Sequence, residues 1–240
     1  MTLNYGSDLF RGGELLVNYD WIDIADGLGY VEYYGAVGDN GELLVTPKVL
    51  YSEEICKFIA SQTVGETPAK YFDLDFDLTF NLPKNVYGKI YVNVPIGASA
   101  TSTNTDGMNY YVICKAYHYD GTTETLLGTG TSRTAGTNIA TGAVSYTSMT
   151  ALCICDVASI THFKKGETLR ITVEGWFSID SGTVSADLMI GTDPMNREFK
   201  DESRDAKDAT MGLANEAVGG GTVTYQNTKM IFQVPYRLEV

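Results

Sequence analysis

The stretch Tyr71–Phe80, YFDLDFDLTF, decides the fold class of this chain, because apolar and polar side chains alternate along it. The residues that share one face are Phe72, Leu74, Phe76, Leu78 and Phe80, and those that share the other are Asp73, Asp75, Asp77 and Thr79. Successive side chains of a strand point to opposite faces of a sheet. The pattern therefore predicts a β-strand with one face in the core and the other in water.

The same alternation recurs along the chain and predicts roughly nine or ten strands in an antiparallel β-sandwich or barrel. Besides Tyr71–Phe80, the predicted strands are Gly29–Val37, Gly88–Ile96, Asn109–Tyr119, Thr122–Gly130, Val144–Cys155, Thr168–Ile179, Thr183–Ile190 and the C-terminal segment. Between strands, Asp39-Asn40-Gly41, Asp120-Gly121 and Ser181-Gly182 supply residues that adopt positive φ readily. These three connections are predicted to be hairpins.

Three segments lack the strand pattern. Leu50–Thr63 is predicted to be one short helix, because Ser52 can cap a helix whose first turn carries Glu53 and Glu54. Two stretches rich in Thr, Ser, Gly and Ala, residues 97–108 and 130–142, have no periodicity. They are predicted to be exposed loops.

The chain is predicted to form one sandwich domain, residues 28–240, preceded by an N-terminal arm, residues 1–27. The arm contains four glycines and only short apolar clusters, and arms of this kind dock on neighbours or stay loose. Residues 191–221 form a long, charged excursion before the last strand. Loops of this length are usually functional or disordered, so a solvated loop and an interaction element both remain open.

Composition bounds the partners of the chain. Seventeen basic and thirty acidic residues give a net charge of −13, which disfavours nucleic acid as a partner. The start of the chain shows no basic region followed by an apolar stretch, and apolar runs stay well below the ~18 residues of a membrane span. We expect a chain that is made and folded in a cytosol and has no membrane partner.

No pattern predicts a catalytic, metal or cofactor site. The four cysteines, Cys56, Cys114, Cys153 and Cys155, show no CxxC pairing. Cys153 and Cys155 share one face of a predicted strand and are expected to be buried thiols, with a zinc site completed by Cys114 or His118 as the alternative. Neither His118 nor His162 is accompanied by a nucleophile motif. We therefore expect no enzyme and no cofactor, and a glycosidase or other hydrolase is the least favoured function.

Two rows of side chains are candidates for surface contacts. The aspartates of Tyr71–Phe80 are predicted to form a solvated acidic face, with cation binding or pairing with basic groups of a partner as alternatives. In YVEYYG, Tyr30 and Tyr34 share one face with Glu32, whereas Val31 and Tyr33 share the other. Exposed tyrosines suit sugar stacking or a protein interface, and the other possibility is that they pack between sheets.

Three stretches resemble structural proteins of tailed viruses, in particular auxiliary or decoration proteins of phages. They are DWIDIADGLGYVEYYGA at Asp20–Ala36, THFKKGETLRITVEGW at Thr161–Trp176, and TKMIFQVPYRLEV at Thr228–Val240, which follows a GTDPMNR loop. The middle stretch is also similar to the penultimate-strand region of jelly rolls of the complement and tumour-necrosis-factor class.

The resemblance implies a capsid-associated jelly roll without enzymatic activity, a virion subunit assembled in the host cytoplasm. The implied partners are other capsid proteins and further copies of the chain, with a trimer favoured. A carbohydrate-binding module is the alternative, and it requires exposed aromatics such as Tyr30, Tyr34 or Tyr110. The candidate interaction residues are Trp21, Tyr30, Tyr34, Asp193, Arg197 and Arg204.

Overall fold

The computed structural model of the chain describes residues 17–18, 28–53, 56–101, 106–139, 144–196 and 227–237. Every helix or strand assigned in these ranges is a strand, which confirms the all-β prediction. In chain order the strands are β1 Val17–Asn18, β2 Leu28–Val37, β3 Leu43–Thr46, β4 Cys56–Gly65, β5 Ala69–Thr79, β6 Lys84–Thr101, β7 Asp106–Tyr119, β8 Glu124–Thr131, β9 Ala135–Ile139, β10 Val144–Phe163, β11 Thr168–Ile179, β12 Thr183–Gly191 and β13 Ile231–Arg237.

Eight of these strands form two facing antiparallel sheets. Sheet I has the order β2-β13-β6-β10, and sheet II has the order β5-β11-β7-β8. Within these eight strands, every connection passes from one sheet to the other except the β7–β8 hairpin. This order is that of a jelly roll, the two-Greek-key sandwich that the sequence resemblance implied.

The remaining strands extend the two sheets. β1 and β3 pair with β2, β12 pairs with β6 and β4, and β9 pairs with β7. A single parallel bridge between Leu44 and Asp77 connects β3 to β5, and so connects sheet I to sheet II.

The inward faces of both sheets form one core. In β5, Phe72 and Phe76 are buried and the aspartates point outward, as the alternation predicts. The largest side chains with almost no exposed surface are Phe76, Tyr110, Phe163, Phe177 and Phe232. Phe76 and Phe232 come from opposite sheets, and their ring centroids lie 5.5 Å apart, so aromatic contacts connect the two layers.

The two sheets approach unusually closely where β8 of sheet II faces β10 of sheet I. A Cβ atom on Gly130 would lie 2.4 Å from the carbonyl oxygen of Ile154, and one on Gly128 would lie 2.6 Å from that of Asp156. On the inner face of β10, the Cys153 thiol donates to the Val112 carbonyl at 3.4 Å and the Cys155 thiol to the Cys114 carbonyl at 3.2 Å. Only glycine and small side chains fit at this contact.

The predicted helix at Leu50–Thr63 is wrong, because residues from Cys56 onward form β4, which pairs with β12. Ser52 does not cap a helix; its hydroxyl is buried and accepts a hydrogen bond from the Val37 amide at 2.9 Å. Pairing with a neighbouring strand outweighs local helical preference here.

The turn Ser181-Gly182 is not a hairpin, although Gly182 has the positive φ of 76° that a tight turn needs. The strands on either side do not pair with each other: β11 pairs with β5 and β7, and β12 pairs with β4 and β6. The turn thus carries the chain from sheet II to the strands beside sheet I. By contrast, Asp39-Asn40-Gly41 and Asp120-Gly121 connect paired strands, as predicted.

The two stretches predicted as exposed loops are partly strand. β6 continues to Thr101 with Ala98 and Ala100 buried, and residues 135–139 pair with the start of β7 as β9. Small and hydroxylated residues give no strong alternation of hydrophobicity. Sequence periodicity therefore does not predict the strands in this part of the sheet.

Replacement of Gly130 by alanine is expected to lower the free energy of unfolding by about 1–3 kcal/mol, because the added methyl group overlaps the backbone of β10. Urea denaturation measures the change. Thr129→Ala, at the exposed neighbouring position of β8, is the control. Equal stability of the two variants would show that β8 and β10 separate without cost.

Candidate interaction surface

Tyr30 and Tyr34 lie on the outer face of sheet I, partly exposed, with Glu32 exposed between them. Val31 and Tyr33 are buried on the inner face of β2, so the alternation predicted for YVEYYG is confirmed. The two tyrosines are therefore not packed between the sheets.

Strand register extends this tyrosine face across all four strands of sheet I. One row runs from β2 through β13 and β6 to β10, and consists of Tyr34, Ile231, Asn93 and Leu152. The next row consists of Glu32, Gln233, Tyr91 and Ile154. Four strands at about 4.8 Å spacing make a surface roughly 15 Å wide. We define the tyrosine–leucine face as Tyr30, Tyr34, Tyr91, Leu152, Ile154 and Ile231.

The β10 edge of this face is its most apolar part. Leu152 is 47% exposed and Ile154 is 40% exposed. Their neighbours Ala151, Cys153 and Cys155 face inward and are fully buried. The sequence ALCIC is apolar on both faces, so hydrophobicity alone does not say which side is buried. The signal that decides it is size, since only small residues fit opposite Gly128 and Gly130 of β8.

Polar contacts surround Tyr34 on this face. The Tyr34 hydroxyl donates to Glu32 Oε1 at 2.5 Å, and Lys229 Nζ lies 5.0 Å from the centre of the Tyr34 ring. The bond to Glu32, together with partial burial and the charge of that carboxylate, raises the pKa of Tyr34 to about 12. A tyrosine is already protonated at neutral pH, and the raised pKa keeps the Tyr34 hydroxyl a hydrogen-bond donor into the alkaline range.

An aromatic pair lies across the same face, where Tyr30 of β2 and Tyr91 of β6 have ring centroids 5.9 Å apart and planes inclined by 48°. Tyr110, the loop aromatic that the carbohydrate alternative also required, is instead completely buried on β7. An outward aromatic position on β7 is Tyr111, whose ring stacks on Trp176 of β11 with centroids 6.1 Å apart.

The outer face of sheet II has a different character, because its charged side chains form ion pairs and hydrogen bonds with one another. Arg170 binds both oxygens of Asp77, at 2.7 and 2.8 Å, and also contacts Glu124. Asp75 accepts a 2.6 Å hydrogen bond from Thr172, and Asp73 pairs with Lys70 at 2.6 Å. The aspartates predicted as a solvated acidic row are therefore paired with groups of their own sheet.

Glu174 is the centre of a second charged cluster on this face and is only 3% exposed. It accepts hydrogen bonds from Lys115 Nζ at 2.7 Å and from Trp176 Nε1 at 3.0 Å, and Lys70 Nζ lies 3.6 Å away. Burial alone raises the pKa of Glu174, but these donors outweigh it, so its pKa lies below the ordinary value. The folded protein holds this carboxylate ionised.

The candidates for metal binding or nucleophilic chemistry have structural contacts. His118 Nε2 lies 2.7 Å from Glu167 Oε2, and its ring contacts Phe163. All four cysteines are buried free thiols, and burial, reinforced by neighbouring Cys153, raises the pKa of Cys155 to about 12. Among the described residues, no group of three or more His, Cys, Asp and Glu side chains is arranged to hold a metal ion.

The described ranges also include no helix with the length and apolarity of a membrane span.

Asp193 lies in the turn that follows β12, and it is fully buried. Its amide donates to the Thr228 carbonyl at 3.0 Å, and Asn196 Oδ1 accepts a 2.8 Å bond from the Thr228 amide. These bonds join the residues on either side of 197–226, and Asp193, a candidate interaction residue, lies inside the fold. The other candidate interaction residues lie outside the described residues: Trp21, Arg197 and Arg204.

No family model matches the chain, and no curated protein matches it. Among solved structures, it is similar to a CocE/NonD family hydrolase from Staphylococcus aureus, with 12% identity over 68% of this chain and 36% of that one and a TM-score of 0.34. It is also similar to a chain in the structure of infectious bursal disease virus, Gx strain, with 11% identity over 85% and 42% and a TM-score of 0.26. For the Gt strain of the same virus the identity is 12% over 79% of this chain and 38% of that one, with a TM-score of 0.22. The chain spans less than half of each, and likenesses this distant assign it no function.

Substitution of Glu174 by glutamine is expected to lower the free energy of unfolding at pH 7 by ~1–3 kcal/mol, because Lys115 and Lys70 lose their shared carboxylate. A carboxylate with a lowered pKa stabilises the folded state above its ordinary pKa, here 4.5, and this stabilisation is lost as the pH falls further. Thermal unfolding of the parent and Glu174→Gln between pH 7 and pH 3 measures both effects.

The two proteins should differ most at neutral pH and converge in acid. Asp156→Asn, an exposed carboxylate on the opposite side of the sandwich, is the control. A constant difference between parent and Glu174→Gln across the whole pH range would contradict this account.

Proposed function

We propose that this chain is a virion structural protein, a capsid-associated decoration, auxiliary or head-projection subunit that acts through protein–protein contacts and not through catalysis. Its partners in this proposal are other capsid proteins and further copies of itself, with a trimer favoured. It is assembled on virus particles in the host cytoplasm.

The observation that carries the proposal is the contrast between the two outer faces of the sandwich. On the outer face of sheet II, charged side chains of β5, β7, β8 and β11 pair with one another. Sheet I leaves Leu152 and Ile154 about half exposed beside a row of tyrosines. Apolar patches rimmed by polar residues mark interaction sites, and tyrosine is enriched at protein interfaces.

Two further features support a role on a particle. The jelly roll is an architecture of viral capsid and lectin domains, which is an argument from fold alone. The net charge of −13 repels packaged nucleic acid, so contacts with shell proteins are favoured over contacts with the genome. Residues 1–27 and 191–221 remain proposed as attachment elements that act together with the tyrosine–leucine face.

The double substitution Leu152→Lys with Ile154→Lys is expected to abolish incorporation into particles while leaving the fold intact, because both side chains are already partly in water. Virus particles are produced with the parent or the variant chain and purified on a density gradient. Mass spectrometry of the purified particles measures how much of the chain is incorporated. Thermal unfolding of the isolated protein establishes that the variant is folded.

Leu126→Lys is the matched control, since Leu126 is an exposed leucine, 53% accessible, on β8 of sheet II. It should leave incorporation at the parent level. Normal incorporation of the Leu152/Ile154 variant, or absence of the parent chain from particles, would contradict the proposal.

The alternative function is carbohydrate binding, and the Tyr30–Tyr91 pair is the observation that favours it. Aromatic rings that present apolar area with a polar tip can stack on sugars. In that case a glycan should raise the melting temperature of the parent protein and have a smaller effect on Tyr91→Ala. Tyr111→Ala, on the opposite sheet, is the control, and a flat response of the parent across a broad glycan array would exclude the alternative.

A further inference from the structure

A groove with a volume of about 490 Å³ opens beside the Leu44–Asp77 bridge, where β3 and β5 diverge. Its apolar walls are Tyr33, Val45, Pro47, Leu78 and Phe80. Small-molecule sites typically have volumes of roughly 300–1,000 Å³ and combine mostly apolar walls with a few polar groups. The groove therefore has the size and the lining of a site for a small apolar ligand.

A pair of tyrosine hydroxyls supplies a hydrogen-bond donor at the groove. The hydroxyls of Tyr33 and Tyr236 lie 2.7 Å apart, and both side chains are buried. Burial raises the pKa of both, that of Tyr33 to about 12, so each hydroxyl keeps its hydrogen at neutral pH. One hydrogen forms the bond between them, and among the described residues no acceptor is bound by the other. The pair can thus donate one hydrogen bond to a ligand.

Lys84 places a cation at the opening of the same groove. Its Nζ lies 5.7 Å from the centre of the Tyr236 ring, so the cation and the hydroxyl pair are neighbours. Within the described part of the chain, Lys84 forms no ion pair. Its charge is therefore available to an anionic ligand.

The adjacent turn adds two exposed cations to this end of the sandwich, Lys164 and Lys165. The turn is held against the groove, because the Phe80 amide donates to the Glu167 carbonyl at 3.0 Å. The Glu167 carboxylate is itself paired with His118 at 2.7 Å. On a protein of net charge −13, this opening is thus a place where an anion meets lysines before it meets unpaired acids.

We propose that this groove binds a free fatty acid, with its acyl chain along Val45, Pro47, Leu78 and Phe80 and its carboxylate beside Lys84 and the tyrosine hydroxyl pair. A fatty acid combines the two properties that the groove presents, namely apolar length and one anionic head that accepts hydrogen bonds. The proposal does not depend on the function proposed above, because the groove and the tyrosine–leucine face are separate surfaces.

Isothermal titration calorimetry of the full-length protein with dodecanoate, below the concentration at which it forms micelles, tests the proposal. Dodecanoate should bind with one molecule per chain. Octanoate should bind at least tenfold more weakly, because fewer methylene groups leave water. Dodecanol, which has the same chain without the charge, should also bind at least tenfold more weakly.

Two variants locate the ligand in the groove. Lys84→Gln removes the cation and should weaken dodecanoate binding about tenfold, while Lys89→Gln, at an exposed lysine of the same strand, is the matched control and should bind like the parent. Val45→Phe fills part of the groove and should weaken binding of dodecanoate and dodecanol alike. Thermal unfolding without ligand establishes that each variant is folded.

Three outcomes would overturn the proposal. The first is the absence of saturable dodecanoate binding to the parent. The second is equal binding by Lys84→Gln, Lys89→Gln and Val45→Phe. The third is loss of binding in the Leu152→Lys, Ile154→Lys variant, which would place the fatty acid on the tyrosine–leucine face and not in the groove.

Discussion

The close approach of β8 to β10 is the constraint on which the rest of the structure depends. Neither Gly128 nor Gly130 has room for a Cβ atom, because the backbone of β10 lies directly against them. Sheets in a sandwich usually pack about 10 Å apart, with side chains filling the space. Here the contact closes one side of the sandwich, so β10 of sheet I and β8 of sheet II lie against each other at the ends of their sheets.

This constraint also determines what sheet I presents to solvent. Because the inner side of β10 accepts only Ala151, Cys153 and Cys155, the larger Leu152 and Ile154 lie on the outer side. The apolar outer surface thus follows from the way the two sheets pack. It is also the candidate surface for binding a partner. On β11 of sheet II, by contrast, the outward side chains include Glu174 and Arg170. Both form ion pairs with residues of the same sheet.

Sequence periodicity predicted those parts of the fold in which the two faces of a strand differ in polarity. The alternation in Tyr71–Phe80 and the opposite orientations of Tyr33 and Tyr34 are two such cases. It failed where polarity does not distinguish the faces. Residues 135–139 pair as a strand with few apolar residues, and residues 56–65 form a strand where the helical pattern was misleading. The exposed positions of Leu152 and Ile154 depend on Gly128 and Gly130, which are more than twenty residues away in sequence. The local alternation of polar and apolar residues cannot predict that contact.

The candidate site follows the same division. Tyr30 and Tyr34 could be placed from their own strand, whereas Tyr91, Ile231 and Leu152 enter the surface only through the register of four strands distant in sequence. Residues 196 and 228, which flank the stretch 197–226 in sequence, are joined by a hydrogen bond from the Thr228 amide to Asn196 Oδ1. Lys229, the next residue, lies over the ring of Tyr34. A partner that binds the tyrosine–leucine face would therefore also meet the Lys229 cation, which the tyrosine strand alone does not reveal.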